Sequence, residues 1–353
     1  MKRILALSRI QVTLFLTILP VAFLAGCGQP ATTQPLYFLA SYDANGDGKF
    51  DQDLVGEEGQ AIYALQLQGD DTRIGQLTDP TAYLPDMFTV SPDGKYLAFT
   101  TKPSADHIIG SYIYIIDLSN STITEIPYEA SLVEGIYWSH GGGSPQDDNS
   151  MRLAALVTDT QGISEALIIT QQATIERRVS STSFLANEFQ DYNPYVSPDR
   201  TQRIWPKAVE GGYLLSKTGI MDKYNASGPR LSDVPFNFIG WSPDSQRLLV
   251  LNRDLKILEQ FRSLSEPHGA LFTIDPKNNE LTPLTAGGGA TEIAAWSPVS
   301  RDIAYLTQLE DSDQDGIADA PLDAPVLYIL SPDGKARRID LGEKYQIGWG
   351  LDW

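Results

Sequence analysis

Val90-Ser91-Pro92-Asp93-Gly94-Lys95-Tyr96-Leu97-Ala98-Phe99 decides the fold, because the chain spells it again. It returns as Trp241-Ser242-Pro243-Asp244-Ser245-Gln246-Arg247-Leu248-Leu249-Val250 and as Trp296-Ser297-Pro298-Val299-Ser300-Arg301-Asp302-Ile303-Ala304-Tyr305. A looser copy is Val196-Ser197-Pro198-Asp199-Arg200, and Tyr137-Trp138-Ser139-His140 starts the same unit before running into Gly141-Gly142-Gly143. The copies lie roughly 45 to 58 residues apart, a period that fits one four-stranded unit per repeat. Within the unit an apolar strand stops at Ser-Pro-Asp-Gly. Pro presets φ, Asp closes the turn through its carboxylate, and Gly accepts positive φ. A second apolar strand then returns.

Working outward, a third strand follows ten or more residues later, as in residues 112–117 (YIYIID), and a polar turn leads into a fourth at 122–127. The same pair is legible at 61–65 with 73–78, at 270–275 with 281–285, and at 326–330 with 336–341. Only residues 255–264 hint at a helical period, so the chain is all-β. Residues 36–41 (LYFLAS) resemble a second strand without a first, and the closing QIGWGLDW of 346–353 resembles a first strand without a second. The expected fold is therefore a six-bladed β-propeller of four-stranded antiparallel blades over residues 35–353. The C-terminal strand joins the N-terminal blade and closes the ring, leaving no free edge between them. Trp138, Trp241, Trp296 and Trp353 share one repeat position and are expected as wedges between blades.

The repeated Ser-Pro-Asp-Gly-Lys turn followed by an apolar strand resembles the WD40-like repeat of TolB-type six-bladed propellers, over nearly the whole of residues 35–353. Two departures stand out. There is no room before Leu36 for the α/β domain that precedes the propeller in TolB. The third repeat lacks the Pro-Asp turn, and the fourth has an ill-defined outer strand around residues 220–231.

The N-terminus reads as an export signal. Lys2, Arg3 and Arg9 precede a mostly apolar stretch at residues 10–23, shorter than the roughly 20 apolar residues that a membrane helix needs and holding Pro20. Leu24-Ala25-Gly26-Cys27 follows, and Cys27 is the only cysteine in the chain. This resembles the lipobox of bacterial lipoproteins. The resemblance implies a signal peptide over residues 1–26, a diacylglyceryl thioether on Cys27, and a polar tether over 27–34. The propeller would then be lipid-anchored in the bacterial cell envelope, outside the cytoplasmic membrane. The formal charge of −19 opposes nucleic-acid binding.

Two acidic loops share a pattern. Asp43-Ala44-Asn45-Gly46-Asp47-Gly48-Lys49-Phe50-Asp51 and Asp311-Ser312-Asp313-Gln314-Asp315-Gly316-Ile317-Ala318-Asp319 place side-chain oxygens at positions 1, 3, 5 and 9 and Gly at 6. A hard cation such as Ca²⁺ takes six to eight oxygens, and Gly permits the sharp turn that aims them inward. The loops resemble EF-hand-like calcium loops, with the backbone carbonyls of Lys49 and Ile317 at position 7. Position 12 is Leu54 or Leu322, so the usual bidentate Glu is absent; Asp53, Glu57, Glu58 and Asp323 are the nearby substitutes. The expectation is two weak Ca²⁺ sites, with Kd on the order of 10⁻⁴ to 10⁻³ M. The alternative is a pair of solvated acidic turns. Both loops join the second strand of a blade to the third. A long insertion at 253–269, with Phe261 and Leu264 as the named contact residues, is expected to extend the same surface toward a partner.

Catalytic residues are not legible. No Gly-x-Ser-x-Gly elbow occurs, and His107, His140 and His268 lack metal-ligand spacing. The function expected is an extracytoplasmic, calcium-stabilised scaffold for a protein partner. Two alternatives stay open: a glycan- or peptidoglycan-binding module, and a propeller lyase or hydrolase acting on extracellular polymers.

Overall fold

The protein is described from a computed structural model. The structure describes residues 34–50, 55–68, 71–102, 111–128, 130–139, 151–207, 212–217, 237–252, 270–278, 280–285, 293–310 and 320–353. Every described strand lies within residues 33–353.

The first three strands are β1 (Leu36–Tyr42), β2 (Gln60–Gln68) and β3 (Asp71–Gln76). Then come β4 (Pro85–Val90), β5 (Tyr96–Thr101), β6 (Ile113–Asp117) and β7 (Thr122–Glu125). The third group is β8 (Leu132–Trp138), β9 (Arg152–Thr158), β10 (Ser164–Thr170) and β11 (Ile175–Ser180). After a short helix α1 (Ser181–Asn187) the strands β12 (Gln202–Lys207) and β13 (Gly212–Lys217) pair as a hairpin. β14 (Asn237–Trp241), β15 (Leu248–Asn252), β16 (Ala270–Asp275) and β17 (Glu280–Pro283) form one more sheet. β18 (Ile293–Trp296), β19 (Ile303–Glu310), β20 (Ala320–Leu330) and β21 (Ala336–Ile339) form the last. Finally β22 (Tyr345–Asp352) returns to β1, giving the sheet order β22-β1-β2-β3. The C-terminal strand thus completes the N-terminal blade, as expected.

The number of blades is corrected. The described residues form five four-stranded sheets and one two-stranded hairpin, so the propeller has five four-stranded blades, not six. The reason lies between Tyr192 and Gln202. Pro194, inside the segment where an inner strand would run, has no N–H to give a ladder, and the segment's bridge to β12 is Val196 to Arg203. Ile204 N–H donates to Tyr195 O at 2.8 Å and Ser197 N–H to Gln202 O at 2.9 Å. The helix α1 was not legible as a helix in the sequence. Ser180 caps it by accepting from Ser183 N–H at 3.3 Å, and Phe184 packs edge-on against Phe189 and Tyr192.

The middle strands of the blades, such as β1, β5 and β9, are covered on both faces and are apolar along most of their length, whereas outer strands such as β7 and β11 are largely exposed. In β1, Leu36, Phe38 and Ala40 pack toward Leu306, Leu327 and Ile329 of the last sheet. The alternate residues Tyr37 and Leu39 pack toward Val90, Leu97 and Phe99 of the second. This is the period-2 alternation of a strand, with core on both sides.

The repeated turns work as their chemistry predicts. Ser91 Oγ donates to Asp93 Oδ1 at 2.7 Å and accepts from Tyr96 N–H at 2.9 Å, and Gly94 sits at φ +68°. Ser197–Asp199 and Ser242–Asp244 repeat the 2.7 Å bond, with Arg200 and Ser245 at φ +60° and +58°. Ser331-Pro332-Asp333-Gly334, between β20 and β21, uses the same device inside a blade; Ser331 Oγ lies 2.6 Å from Asp333 Oδ1.

Ser242 is 2% exposed, and its hydroxyl also receives Arg247 N–H at 2.9 Å. Ser242→Ala leaves a buried N–H without its acceptor, so urea unfolding should show a loss of about 1–3 kcal/mol. Ser331→Ala, at an exposed turn, should cost well under that in the same measurement.

Candidate functional site

Two places concentrate polar groups: the loop after β1 and the cavity along the propeller axis. The loop begins where β1 ends. Asp43, 5% exposed, donates its N–H to Lys344 O at 2.9 Å, which ties the loop to the residue before β22. Its Oδ1 accepts from Gly46 N–H at 2.5 Å and its Oδ2 from Gly48 N–H at 3.0 Å. Those glycines sit at φ +78° and +75°, a conformation a side chain would resist. Asn45 Oδ1 accepts from Asp47 N–H at 2.8 Å, and Asp47 Oδ1 from Lys49 N–H at 2.9 Å.

The third carboxylate comes from outside the nine-residue pattern. Glu58 accepts Asn45 N–H at 3.3 Å, and carboxylate oxygens of Asp43, Asp47 and Glu58 all lie within 4.8 Å of one another. Two oxygens on one Ca²⁺, each about 2.3–2.6 Å from it, are separated by no more than about 5 Å. The donor types and the spread therefore suit a calcium ion. Burial pushes the Asp43 carboxyl up, but the backbone N–H groups of Gly48, Gly46 and Asp47, with Lys344 nearby, outweigh it and hold the pKa below the usual range. Lys49 Nζ stands 3.7 Å from Asp47 Oδ2, both side chains being largely exposed. Asp51, the second loop (Asp311, Asp313, Asp315, Ile317, Asp319), Cys27, Phe261 and Leu264 lie outside the described residues, as do His107, His140 and His268.

The axial cavity has a volume of about 490 Å³. It is lined by the inner strands β4, β8, β14, β18 and β22 and by Asn193, Pro194 and Pro198. Pro92, Pro243 and Pro298, the prolines of the repeated turns, face it together with Trp241, Trp296 and Trp353. The tryptophans are wedges, as expected, and their indole N–H groups reach across sequence. Trp138 Nε1 donates to Thr89 O at 3.1 Å, Trp241 Nε1 to Tyr195 O at 3.4 Å, and Trp353 Nε1 to Gln34 O at 2.8 Å. Trp296 Nε1 is buried and has no partner among the described residues.

Asp352 is the one formally charged side chain among the cavity's lining residues. Its Oδ2 accepts from Val90 N–H at 2.7 Å, joining β22 to the next blade, and its Oδ1 accepts from Trp353 N–H at 2.8 Å. Desolvation pushes its pKa up to about 6, against the pull of those donors and the Thr89 hydroxyl. Sequence pattern gave no sign of this group, since it is one aspartate among many acidic residues.

Among solved structures the chain is similar to TolB from Acinetobacter baumannii, at 14% identity and a TM-score of 0.53. The match covers 90% of this chain and 65% of that one, so the chain spans less than two thirds of its length. A putative TolB from Agrobacterium tumefaciens aligns at 13% identity with a TM-score of 0.47, covering 86% and 88% of the two chains. No protein-family model and no characterised protein matches the sequence. The structure is thus a β-propeller similar in fold to TolB.

The raised pKa of Asp352 has a definite sign. Between its unfolded value, about 3.9, and about 6 the folded state binds the extra proton, so this contribution to stability is present at low pH and is lost as pH rises through 6. Lowering the pH from 7 to 5 should raise stability by about 1 kcal/mol in thermal or urea melts. Asp352→Asn should abolish that rise.

Proposed function

We propose that the protein is a lipid-anchored, extracytoplasmic propeller that presents a calcium-ordered surface to a protein partner. The observation that carries the calcium part is the convergence of Asp43, Asp47 and Glu58, since Glu58 supplies the carboxylate that the nine-residue loop pattern lacks. Asp43 anchors the cluster to the strand that closes the ring, through its N–H to Lys344. A bound ion would therefore brace the join between the first and last parts of the chain. The second acidic loop supports the same reading by sequence: Asp311, Asp313, Asp315, Ile317 and Asp319 repeat the spacing. Phe261 and Leu264 belong to the proposed partner surface on the strength of the apolar insertion that carries them.

The lipid anchor rests on Leu24-Ala25-Gly26-Cys27 after a short apolar stretch. It places the protein in a bacterial cell envelope, where divalent cations are abundant enough to fill sites of weak affinity. The TolB-like fold favours a scaffold, and the partner is an extracytoplasmic protein. A glycan captured in its place, or turnover of a glycan, would favour the binding-module or enzyme alternative.

Calcium should raise the melting temperature in a saturable way, and Asp47→Ala or Glu58→Gln should remove the gain attributable to this loop. At a calcium concentration 100 times Kd, each occupied site adds about 2.7 kcal/mol. Coincident melts with calcium and with EDTA would show solvated acidic turns. Separately, metabolic labelling with an alkyne fatty acid in a bacterial host should mark the wild-type chain and leave Cys27→Ser unlabelled. An unlabelled wild-type chain would remove the anchor from the proposal.

A further inference from the structure

Three neighbouring inner strands depart from regular pairing at one repeat position. Counting back four residues from Val90, Trp138 and Trp353, the residues that end β4, β8 and β22 or directly follow them, gives Asp86, Glu134 and Trp349. In β4 the ladder to β5 slips between Pro85 and Phe88; in β8 the ladder to β9 slips between Val133 and Gly135. In β22 the residues Gly348-Trp349-Gly350 stand opposite Leu39 alone. Bulges bend a strand and re-aim the side chain that sits on them. All three side chains are exposed, and Trp349 is 40% accessible.

The bulge in β22 is tightly built. A Cβ on Gly350 would come within 2.6 Å of Leu39 Cδ1, and one on Gly348 within 2.9 Å of Gln60 Nε2. The backbone is therefore pressed onto β1 and β2 while the indole between the two glycines is left in solvent. No cation among the described residues pairs with Asp86 or Glu134; Glu134 accepts the Thr158 hydroxyl at 2.9 Å. The three residues precede the cavity-lining segments Phe88–Val90, Ile136–Tyr137 and Leu351–Trp353 along their strands, so they stand at the end of the cavity away from the Ser-Pro-Asp turns. The chain enters the propeller at the other end, where Gln34 meets Trp353 Nε1 and lies over Gly94.

We infer that Trp349, Asp86 and Glu134 form a docking strip for an arginine-bearing segment of a protein partner. A guanidinium stacks on an indole face while its N–H fork engages carboxylate. The uncompensated carboxylates and the net charge of −19 make a cationic segment the complementary one. This inference rests on the scaffold reading and adds to it the chemistry of the partner.

The test uses the full-length protein in non-ionic detergent and the capped peptide acetyl-Gly-Arg-Gly-Arg-Gly-amide, titrated by calorimetry, with citrulline replacing arginine as control. The arginine peptide should bind and the citrulline peptide should not. Trp349→Ala should weaken binding about fivefold, while Trp349→Phe keeps most of it. Asp86→Asn with Glu134→Gln should weaken it at least tenfold, and Glu125→Gln, on the outer strand β7, should leave it unchanged. Near-ultraviolet circular dichroism checks that each variant is folded. Absent binding to wild type, or equal affinity across the variants, overturns the inference. Because neither calcium nor the lipid enters the measurement, such a failure leaves the anchor and the metal sites standing. Conversely, Trp349-dependent peptide binding with no protein captured from the envelope would sustain the strip and sink the scaffold reading.

Discussion

The pairing of β22 with β1 is the constraint on which the rest of the structure depends. Tyr37 lies opposite Asp352 and Tyr42 opposite Tyr345, so two segments from opposite ends of the chain share one sheet. Joining them costs loop entropy, but that cost grows only slowly with the length enclosed. It is offset by a core that exists only once the ring is shut. Leu36, Phe38, Ile347 and Leu351 pack there with Leu306, Leu327 and Ile329 of the last four-stranded sheet. Without β22 that face of β1 would be a bare apolar edge.

Closure also explains where the polar groups gather. Asp43 leaves β1 beside Lys344, which leads into β22, so the acidic loop is built onto the seam. At the other end Asp352 accepts the Val90 N–H of the next blade, and the Trp353 indole N–H donates to the Gln34 carbonyl. The Gly348-Trp349-Gly350 bulge lies between these two ends of the same strand. One closing strand thus touches the candidate calcium loop, the axial cavity and the proposed arginine strip. A cation at Asp43 and a ligand at Trp349 would both act on the pairing that holds the ring, which gives stability and binding a shared element.

Much of the architecture was legible because the propeller spells its rules locally. Ser-Pro-Asp-Gly carries the donors, the preset φ and the positive-φ residue of the turn in four consecutive positions, and the hydrogen bonds around Ser91 and Asp93 are those this chemistry predicts. The expected blade count failed where local spelling and long-range pairing diverge. Val196-Ser197-Pro198-Asp199-Arg200 does make its turn, with Arg200 at φ +60°, but a turn does not guarantee the strand before it. Pro194, within that segment, has no N–H to give a ladder, and among the described residues the sheet there is a two-stranded hairpin.

By itself the sequence determined the all-β repeat, the wedge tryptophans, the join of the chain's two ends and the residue types of the Asp43 loop. Each of these depends on contacts close in sequence, or on a periodicity that every repeat restates. The tertiary structure alone decided which of the nearby acids, Glu58, meets Asp43 and Asp47. It also decided that the Asp352 carboxylate sits in the cavity, and that Asp86, Glu134 and Trp349 align on adjacent inner strands. Those facts depend on register, on bulges and on desolvation, which arise only when distant strands are held side by side.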